Sequence, residues 1–342
     1  MKMNKNSIVT FGEILLRFSK PDHLRLTQGR DLYGNYGGSE ANVAVSLATL
    51  GDSVEFVSRV PQSATGRAAC MKLREMGVDT GNMLFGGDRL GAYYFEEAAA
   101  MRNSQVVYDR NFSSFYFLEP GMIDWRKVLD GAKVFHTSGI TTAISQQAAD
   151  ATFEALAIAD EMGLTMSFDI NYRKNLWKYG AEPRATLSRM LQYSDVVFAD
   201  YIEFEYLLQL PPVPFRAVDG TYQIDVDLYR PWFDEIHRRF PRCRKWLMGI
   251  RNQVSSSHHA LTALLWSDGE ILSTRVYDIP GIVDPMGVGD AFMAGCLHAS
   301  LAWPGNDQLC LDYSLAAAAL KNSIPGDCNL STDEEIWALM NR

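Results

Sequence analysis

Short apolar segments rich in β-branched and aromatic residues alternate with amphipathic segments along most of the chain. The apolar runs predict an opening strand within 8–18, with a second strand at its end left open, and further strands at 54–58, 133–136, 165–169, 195–199 and 245–249. Segments with helical periodicity predict helices over 39–50, 65–76, 145–162, 181–191 and 291–303. Gly51 and Gly77 follow the first two helices, where glycine commonly ends a helix. This alternation predicts an α/β fold with a mostly parallel central sheet covered by helices on both faces.

The region after the second predicted helix has a different pattern. Apolar and polar residues alternate with period two at 90–96 and 104–110, and aromatic side chains are frequent there. Such alternation is typical of antiparallel strands with one exposed face, so we expect a small antiparallel sheet beside the main one. Further along, 211–229 has three prolines among its first four residues and is expected to be an irregular insertion.

Composition and charge narrow the function classes. The 342 residues are 47% hydrophobic and 21% charged, which is ordinary for a globular protein. The net charge of −9 argues against nucleic-acid binding. Because no apolar run reaches the roughly 18 residues of a membrane span and the N-terminus lacks the apolar core of a signal peptide, we expect a cytoplasmic protein with no membrane partner. The five cysteines are scattered, which argues against a disulfide framework or a zinc site.

The segment 284–290, Asp-Pro-Met-Gly-Val-Gly-Asp, precedes a long apolar helix and carries the strongest chemical signal. Its glycines let the backbone turn sharply, so that the N–H groups of Gly287, Val288 and Gly289 can point at one anion beside the positive end of the helix. Asp290 is placed to take a proton from a hydroxyl next to a bound phosphate. The alternative is an ordinary turn in which Asp290 only caps the helix.

The segment 37–42, Gly-Gly-Ser-Glu-Ala-Asn, opens the first predicted helix. Gly37 and Gly38 allow the backbone to approach a ligand closely. Asn42 offers both hydrogen-bond donors and acceptors, which suits a polyol, and Ser39 belongs to the same motif. The alternative is a glycine turn followed by ordinary first-turn polarity. An anion site together with a polyol site favours phosphoryl transfer to an alcohol.

Polar residues also follow the predicted strands directly. These strand-end positions are Asp169, Asn171, Asp200, Gly249 and Asp284. Ligands of open parallel sheets bind at the carboxyl ends of the strands. We therefore expect these residues to line one cleft.

The two glycine motifs, in this order in an α/β chain, resemble the signatures of the ribokinase-like (PfkB) carbohydrate kinases. Segment 37–42 is similar to the N-terminal sugar-binding signature and 284–290 to the C-terminal one. The resemblance implies a single ribokinase-like domain over the whole chain, with a mostly parallel central sheet and a small antiparallel β-sheet lid formed by approximately 13–36 and 89–118. Closure of such a lid would exclude water, with Asp290 as the general base.

Within this family the chain resembles kinases of 2-keto-3-deoxygluconate, and the similar positions are Tyr93, Tyr108, Asp109, Arg110 and the segments 169–173 and 176–177. The resemblance implies a sugar acid whose carboxylate is held by Arg110 or Arg173. Without it, each arginine would be a surface or phosphate contact and each tyrosine a half-buried strand residue. The implied substrate-side residues are Gly37, Gly38, Ser39, Asn42, Tyr93, Tyr108, Arg110, Arg173, Asp290 and Asp327.

The resemblance further implies ATP as the phosphoryl donor and Mg²⁺ as its companion ion. Glu203 would orient Mg²⁺ through water. Asp200 stands where the family usually has Asn, and 249–251 stands at the family's nucleotide-binding turn, although the residues that follow depart from its pattern. The implied nucleotide-side residues are Asn171, Arg173, Asp200, Gly249, Arg251, Gly287, Gly289 and Asn322.

Several alternatives stay open at this point. A fructokinase-like or other sugar kinase of the same family would not need arginines for a carboxylate. A non-catalytic sugar or nucleotide sensor with the same fold would explain the altered nucleotide turn. The sequence leaves open a monovalent-cation activator, the stereochemistry at C4 of the substrate, and a homodimer formed through exposed lid edges.

Overall fold

The computed structural model describes residues 7–342, so the first six residues of the expected domain lie outside the described range. Fifteen strands and eleven α-helices occur within that range. The strands are β1 (Ile8–Phe11), β2 (Leu15–Ser19), β3 (Tyr33–Gly37), β4 (Val54–Val57), β5 (Arg59–Val60), β6 (Leu84–Phe85), β7 (Gly91–Glu96), β8 (Gln105–Asp109), β9 (Val134–Ser138), β10 (Thr165–Asp169), β11 (Val196–Asp200), β12 (Lys245–Ser255), β13 (His258–Ser267), β14 (Glu270–Ser273) and β15 (Tyr277–Pro280). The helices are α1 (Ser39–Thr49), α2 (Ala64–Glu75), α3 (Trp125–Val128), α4 (Gly139–Thr142), α5 (Gln146–Glu161), α6 (Pro183–Leu191), α7 (Tyr201–Leu208), α8 (Arg230–Arg239), α9 (Val288–Ala302), α10 (Asp307–Lys321) and α11 (Asp333–Met340).

The main sheet has nine strands in the order β14-β13-β12-β11-β10-β9-β1-β4, and β15 also pairs with β13. The strands from β12 to β4 are parallel, whereas β13 and its partners β14 and β15 form an antiparallel extension at one edge. The register places Asp169 beside Phe198 and Asp200 beside Gly249. Asp169, Asp200 and Gly249 therefore lie at one edge of the sheet. The expectation that Gly249 and Asp284 end strands is wrong, because Gly249 lies inside β12 and Asp284 lies in the loop after β15.

Helices cover both faces of this sheet and create two cores. One core contains residues of α3, α5, α6, α7 and α8, and the other contains residues of α1, α2, α9 and α10. Because successive strand residues point to opposite faces, Val134 belongs to one core and its neighbour Phe135 to the other. The predicted α/β fold with helices on both faces is confirmed.

A separate sheet of four strands has the order β3-β2-β7-β8. Its outer pairings are antiparallel, and its central pairing, β2 with β7, is parallel. Leu15, Tyr93 and Phe95 form a small buried cluster on it, whereas β3 is largely exposed. The small sheet expected from the period-two pattern is therefore present.

Two segments refine the predicted organisation. The expected turn at 249–251 is wrong, because β12 continues through these residues to Ser255 and pairs antiparallel with β13; the turn lies at 256–257. Residues 211–225 contain neither helix nor strand.

Every helix among residues 7–342 is too short or too polar to cross a membrane.

Candidate active site

The side chain of Asp290 lies in the first turn of α9, where the two glycine motifs meet. Its Oδ1 accepts a hydrogen bond from Ser39 Oγ and its Oδ2 accepts one from Asn42 Nδ2, both at 2.7 Å. Ser39 and Asn42 belong to the start of α1, whose apolar residues share a core with those of α9. Packing of these two helices thus joins side chains that are 251 and 248 positions apart.

The surroundings of Asp290 act in opposite directions on its proton affinity. Burial raises the pKa of the Asp290 carboxyl, whereas the hydrogen bonds from Asn42 and Ser39 and the charge of Arg173 lower it. Asp290 forms no ion pair with any residue in the described part of the chain. The net effect is a raised pKa, and a buried carboxyl with raised proton affinity that is oriented by neutral donors is suited to accept a proton.

Glycine is required at both turns beside Asp290. Gly287, the N-cap of α9, has a φ of 78°, and a Cβ there would lie 1.9 Å from the carbonyl oxygen of Asp327. Gly38, the N-cap of α1, has a φ of 152°, and a Cβ there would lie 2.2 Å from the carbonyl oxygen of Glu13. At Gly37, the last residue of β3, a Cβ would lie 2.1 Å from Asp327 Oδ2. The glycines of both motifs thus allow close packing against Glu13 and Asp327, two other segments of the chain.

The N-terminus of α9 is open to an anion. No side chain caps it, and the N–H groups of Val288 and Gly289 lie in the first turn, where a helix offers no carbonyl partner. The partial positive charge of this 15-residue helix adds to the same place. The first turn of α9, which contains Asp290, is thus suited to bind an anion.

Polar contacts continue from Asp290 to the end of β10. Asn171 Nδ2 donates to Ser39 Oγ at 2.9 Å, and the Asn171 backbone N–H donates to Asp169 Oδ1 at 3.0 Å. Asn171 has a φ of 40°, and its buried Oδ1 has no hydrogen-bond partner within residues 7–342. Asn171 thus offers a free acceptor next to the group that holds Asp290.

Glu203 and Asp200 form a capping box at the start of α7. Glu203 N donates to Asp200 Oδ1, and Asp200 N donates to Glu203 Oε2. The other Glu203 oxygen accepts the N–H of Tyr172 at 2.6 Å. Burial and the neighbouring Asp200 raise the pKa of Glu203 to about 8. Asp200, in place of the expected Asn, therefore both caps the helix and increases the proton affinity of Glu203.

The carboxyls of this cleft fit a hydrated cation better than a closed metal cage. No group of three or more His, Cys, Asp or Glu side chains in residues 7–342 is arranged to hold a metal. Burial, Glu203 and Asp290 raise the pKa of Asp169, so these three carboxyls lie close enough for the charge of one to oppose ionisation of another. Mg²⁺ typically keeps several waters and uses one or two carboxylates together with phosphates. The donor set is compatible with that mode of binding.

The two candidate arginines have different surroundings. Arg110 is buried, and its Nε donates to the buried Glu13 carboxylate at 2.6 Å. Arg173 is exposed and forms no hydrogen bond or ion pair within the described residues, although its charge acts on Asp169, Glu203 and Asp290. Arg173 is therefore the candidate that is free to bind an anion.

The predicted substrate residues on the small sheet belong to a buried polar cluster. Tyr93 OH donates to Asp327 Oδ2, and its ring lies 6.4 Å from that of Tyr108, whose hydroxyl has no hydrogen bond within residues 7–342. Arg17 Nη1 lies 2.8 Å from Asp327 Oδ1 and 2.7 Å from Asp284 Oδ2. Asp327 is thus held from two strands of the small sheet.

Arg17 and Glu13 are functional candidates that the sequence analysis missed. Arg17 occupies the same buried face of β2 as Leu15 and Ser19. An arginine on the apolar face of an alternating strand is a signal that a buried acidic partner exists. Glu13 lies between two strands and carries no comparable signal.

The remaining predicted nucleotide residues lie on β12 and directly after α10. Gly249 and Arg251 are strand residues of β12; a Cβ at Gly249 would lie 3.1 Å from the Phe198 ring, and Arg251 is exposed. Asn322 follows α10, donates from Nδ2 to Ala318 O, and has a buried Oδ1 without a partner in the described range.

The site and the fold together define a class of protein. A doubly covered parallel sheet, a second small sheet, and an uncapped helix start with a buried carboxyl are the features of ribokinase-like carbohydrate kinases. The profile described as pfkB family carbohydrate kinase matches residues 5–214, and the chain belongs to this family.

Individual relatives resemble the chain over nearly its full length. The 2-dehydro-3-deoxygalactonokinase of Haloferax volcanii is 30% identical over 330 residues, covering 96% of this chain and 95% of that protein. Fructokinase-1 of Oryza sativa subsp. japonica is 26% identical over 344 residues, covering 97% of each. The crystal structure of 2-dehydro-3-deoxygluconokinase from Thermotoga maritima is 34% identical with a TM-score of 0.90, covering 98% of this chain and 100% of that chain. The predicted family and fold are confirmed.

Proposed function

We propose that this carbohydrate kinase is an ATP-dependent sugar-acid kinase that phosphorylates the primary hydroxyl of 2-keto-3-deoxygluconate to give 2-keto-3-deoxy-6-phosphogluconate. The observation that carries the proposal is the position of Asp290, a buried carboxylate held by Ser39 and Asn42 beside the uncapped start of α9. A base next to an anion site is what phosphoryl transfer to an alcohol requires. Two similar kinases named for 2-dehydro-3-deoxy sugar acids support the substrate class.

The proposed chemistry needs one proton acceptor and one anion site. The substrate oxygen forms a bond to the γ-phosphorus of ATP while the bond between that phosphorus and the β–γ bridging oxygen breaks, so ADP leaves with the bridging oxygen. Asp290 accepts the proton of the attacking hydroxyl. The N–H groups of Gly287, Val288 and Gly289 stabilise the charge on the transferred phosphoryl group. The donors Ser39 and Asn42 fix the orientation of the base.

The nucleotide side is assigned to the cleft between α9 and the ends of β10, β11 and β12. The free side-chain oxygens of Asn171 and Asn322 are available to accept hydrogen bonds, and exposed Arg173 and Arg251 are available to phosphates. Asp200 and Glu203 would hold hydrated Mg²⁺, which supplies charge neutralisation on the phosphates when bound.

Recognition of a sugar acid is assigned chiefly to Arg173. Arg173 is an exposed residue and its guanidinium is unpaired within the described residues, so it can bind a carboxylate without breaking an existing ion pair. Arg110 already donates from Nε to Glu13 and is a poorer candidate. The free hydroxyl of Tyr108 would complete the substrate side.

The small sheet would act as a lid over the substrate. Two of its side chains contact the main body: Arg17 forms ion pairs with Asp284 and Asp327, and Tyr93 donates a hydrogen bond to Asp327. Such closure would keep water from the transferred phosphoryl group.

The outer strand β3 is exposed, with Tyr33 at 58% exposure, and is our candidate edge for a homodimer.

A second candidate is a fructokinase-like enzyme. The resemblance to a rice fructokinase over nearly the whole chain favours it. A neutral sugar would make no use of the unpaired charge of Arg173, which is why the sugar acid is preferred. A non-catalytic sensor would not need a buried carboxyl that Ser39 and Asn42 hold at the start of α9, so it is the least favoured of the three.

The test is an ADP-release assay with Mg-ATP and a panel of 2-keto-3-deoxygluconate, its C4 epimer, fructose, ribose and gluconate. Selective turnover of the keto-deoxy acids is expected. Preference for fructose would support the second candidate and remove the role of Arg173 in carboxylate binding. Absence of turnover with every sugar, together with sugar binding by calorimetry, would support the sensor.

A further inference from the structure

A buried lysine lies under the anion-binding turn. Lys321 is the last residue of α10, and its side chain has 0% exposure. Its Nζ donates to the carbonyl oxygen of Asp284 at 3.2 Å and to that of Ile324 at 2.8 Å. A buried ammonium is costly unless its hydrogen bonds and charge are satisfied. The fold places this ammonium directly behind the proposed catalytic motif.

The two acceptor carbonyls belong to the two segments that build the turn. Asp284 begins the segment that leads through Gly287 into α9, and Ile324 lies in the segment that leads to Asp327. These segments touch, since a Cβ at Gly287 would lie 1.9 Å from Asp327 O and 3.5 Å from Lys321 Cε. The ammonium therefore joins both segments, and its side chain passes close to Gly287.

Nearby charges balance the ammonium. Asp284 and Asp327 both contact Arg17, which supplies one positive charge for two carboxylates. Lys321 supplies the second. Burial lowers the pKa of Lys321, and the charges of Asp284 and Asp327 oppose that shift. With Lys321 protonated, two buried cations thus stand near the two buried carboxylates of Asp284 and Asp327, while Arg17 Nη2 also lies 4.0 Å from Oε1 of the partly exposed Glu97.

We propose that Lys321 is a built-in monovalent cation that holds the anion-binding turn in its active shape, so that the kinase needs no potassium ion. Carbonyl oxygens are ligands for K⁺ and for ammonium alike. The two carbonyls that face Lys321 already accept its hydrogens, so the residues present do not fit an added ion at this position. Lys321 is a positioning residue, because it acts through the backbone of 284–287. The inference rests on the proposed role of that turn.

The experiment compares wild type, Lys321→Ala and Lys321→Met in tetramethylammonium chloride and in KCl or NH₄Cl at equal ionic strength. Lys245→Ala is the matched control, because Lys245 is a partly buried lysine that pairs with Asp307 away from the site. Two readouts are used: kcat for ADP release with the best substrate of the wild type, and Tm without substrate.

The proposal expects wild type and Lys245→Ala each to keep the same kcat and Tm in all three salts. Lys321→Ala should lose about 10-fold or more in kcat in tetramethylammonium, as expected for weakened stabilisation by backbone donors. K⁺ or NH₄⁺ should restore most of that loss and raise the Tm of this variant alone. Lys321→Met, whose side chain fills the space, should stay slow in every salt.

Three results would overturn the proposal: activation of the wild type by K⁺, full activity of Lys321→Ala or Lys321→Met in tetramethylammonium, or a Tm of Lys321→Ala that K⁺ does not raise. The Tm readout uses no sugar, so it separates this inference from the substrate assignment. If the alanine variant does not fold, the salt response of the wild type and the activity of Lys321→Met decide between the outcomes.

Discussion

The amide of Asn42 lies 2.7 Å from the carboxylate of Asp290, although 248 positions separate the two residues. Asn42 is the fourth residue of α1 and Asp290 the third of α9, and both helices pack on the same face of the sheet. The contact couples the proposed sugar-binding motif to the proposed base. Substitution of either residue tests this coupling.

Asp290→Asn should abolish most activity while keeping the fold. Asn has the same shape and can retain one hydrogen bond to Ser39 or Asn42, but it cannot accept the proton of the attacking hydroxyl. We expect kcat to fall by about 10²–10⁴-fold, the usual contribution of a general base. ADP release measures the loss, and an unchanged Tm shows that the fold is retained. A variant with wild-type kcat would remove Asp290 as the base.

Asn42→Ala should shift the pH profile of kcat/KM. Burial raises the pKa of Asp290, and the hydrogen bond from Asn42 lowers it. Loss of this donor raises the pKa further, and a base is active only when deprotonated. The acidic limb should therefore move to higher pH, with a loss of about 10-fold or more at neutral pH for one hydrogen bond to a charged group.

The control for this variant is Asn329→Ala. Asn329 is also buried, and its Nδ2 donates to Ser46 Oγ, so the substitution removes an amide donor that does not contact Asp290. The acidic limb of this control should stay in place. A limb that does not move in Asn42→Ala, or that moves equally in both variants, would contradict the proposed coupling.

Much of the site follows from local sequence patterns. Glycines at 37–38 and 287–289 mark close backbone approach, and Asp169 and Asp200 stand at the ends of apolar runs that predict strands. Parallel strands bring such ends to one edge, so the cleft can be predicted without long-range information. The structure places these residues as that reasoning requires.

The charged clusters could not be predicted in the same way. Arg17 pairs with Asp327 across 310 positions, and the contact depends on how the small sheet meets the loop after α10. Arg110 has the sequence context of a substrate arginine, yet its partner Glu13 is 97 positions away. Strand β12 is also longer than its apolar run predicts, because pairing with β13 extends it. In each case tertiary packing decides the outcome.

Arg173→Ala should weaken binding of the sugar acid more than binding of ATP. The exposed guanidinium has no partner to lose in the described residues, so stability should change little. We expect KM for the keto-deoxy acid to rise about 10-fold or more, as for a lost charged hydrogen bond, with a small change in kcat. A rise in KM for ATP alone would place Arg173 on the nucleotide side. Arg110→Ala is the comparison, and it should lower stability instead because it leaves buried Glu13 unpaired.

Arg17→Met should destabilise the protein strongly. It leaves the buried carboxylates of Asp284 and Asp327 without their shared partner. Removal of one partner from a buried ion pair costs about 3–5 kcal/mol in the free energy of unfolding. Urea denaturation followed by circular dichroism measures the change. Arg126→Met removes an exposed pair with Glu161 and should cost less than about 1 kcal/mol; equal losses in the two variants would contradict the importance of the Arg17 cluster.

Gly287→Ala should damage activity more than its backbone strain alone explains. Gly287 and Gly305 have φ values of 78° and 84°, so alanine at either position costs about 1–2 kcal/mol of left-handed strain. A Cβ at Gly287 would in addition lie 1.9 Å from Asp327 O, whereas one at Gly305 meets nothing within 4 Å. The turn at Gly287 must therefore open, which moves the N–H groups of the anion site. We expect kcat to fall about 10²-fold for Gly287→Ala, in the range seen when a backbone or side-chain donor to a transition state is lost, and to stay near wild type for Gly305→Ala. Similar kcat values for both variants at matched Tm would show that the shape of this turn does not control phosphoryl transfer.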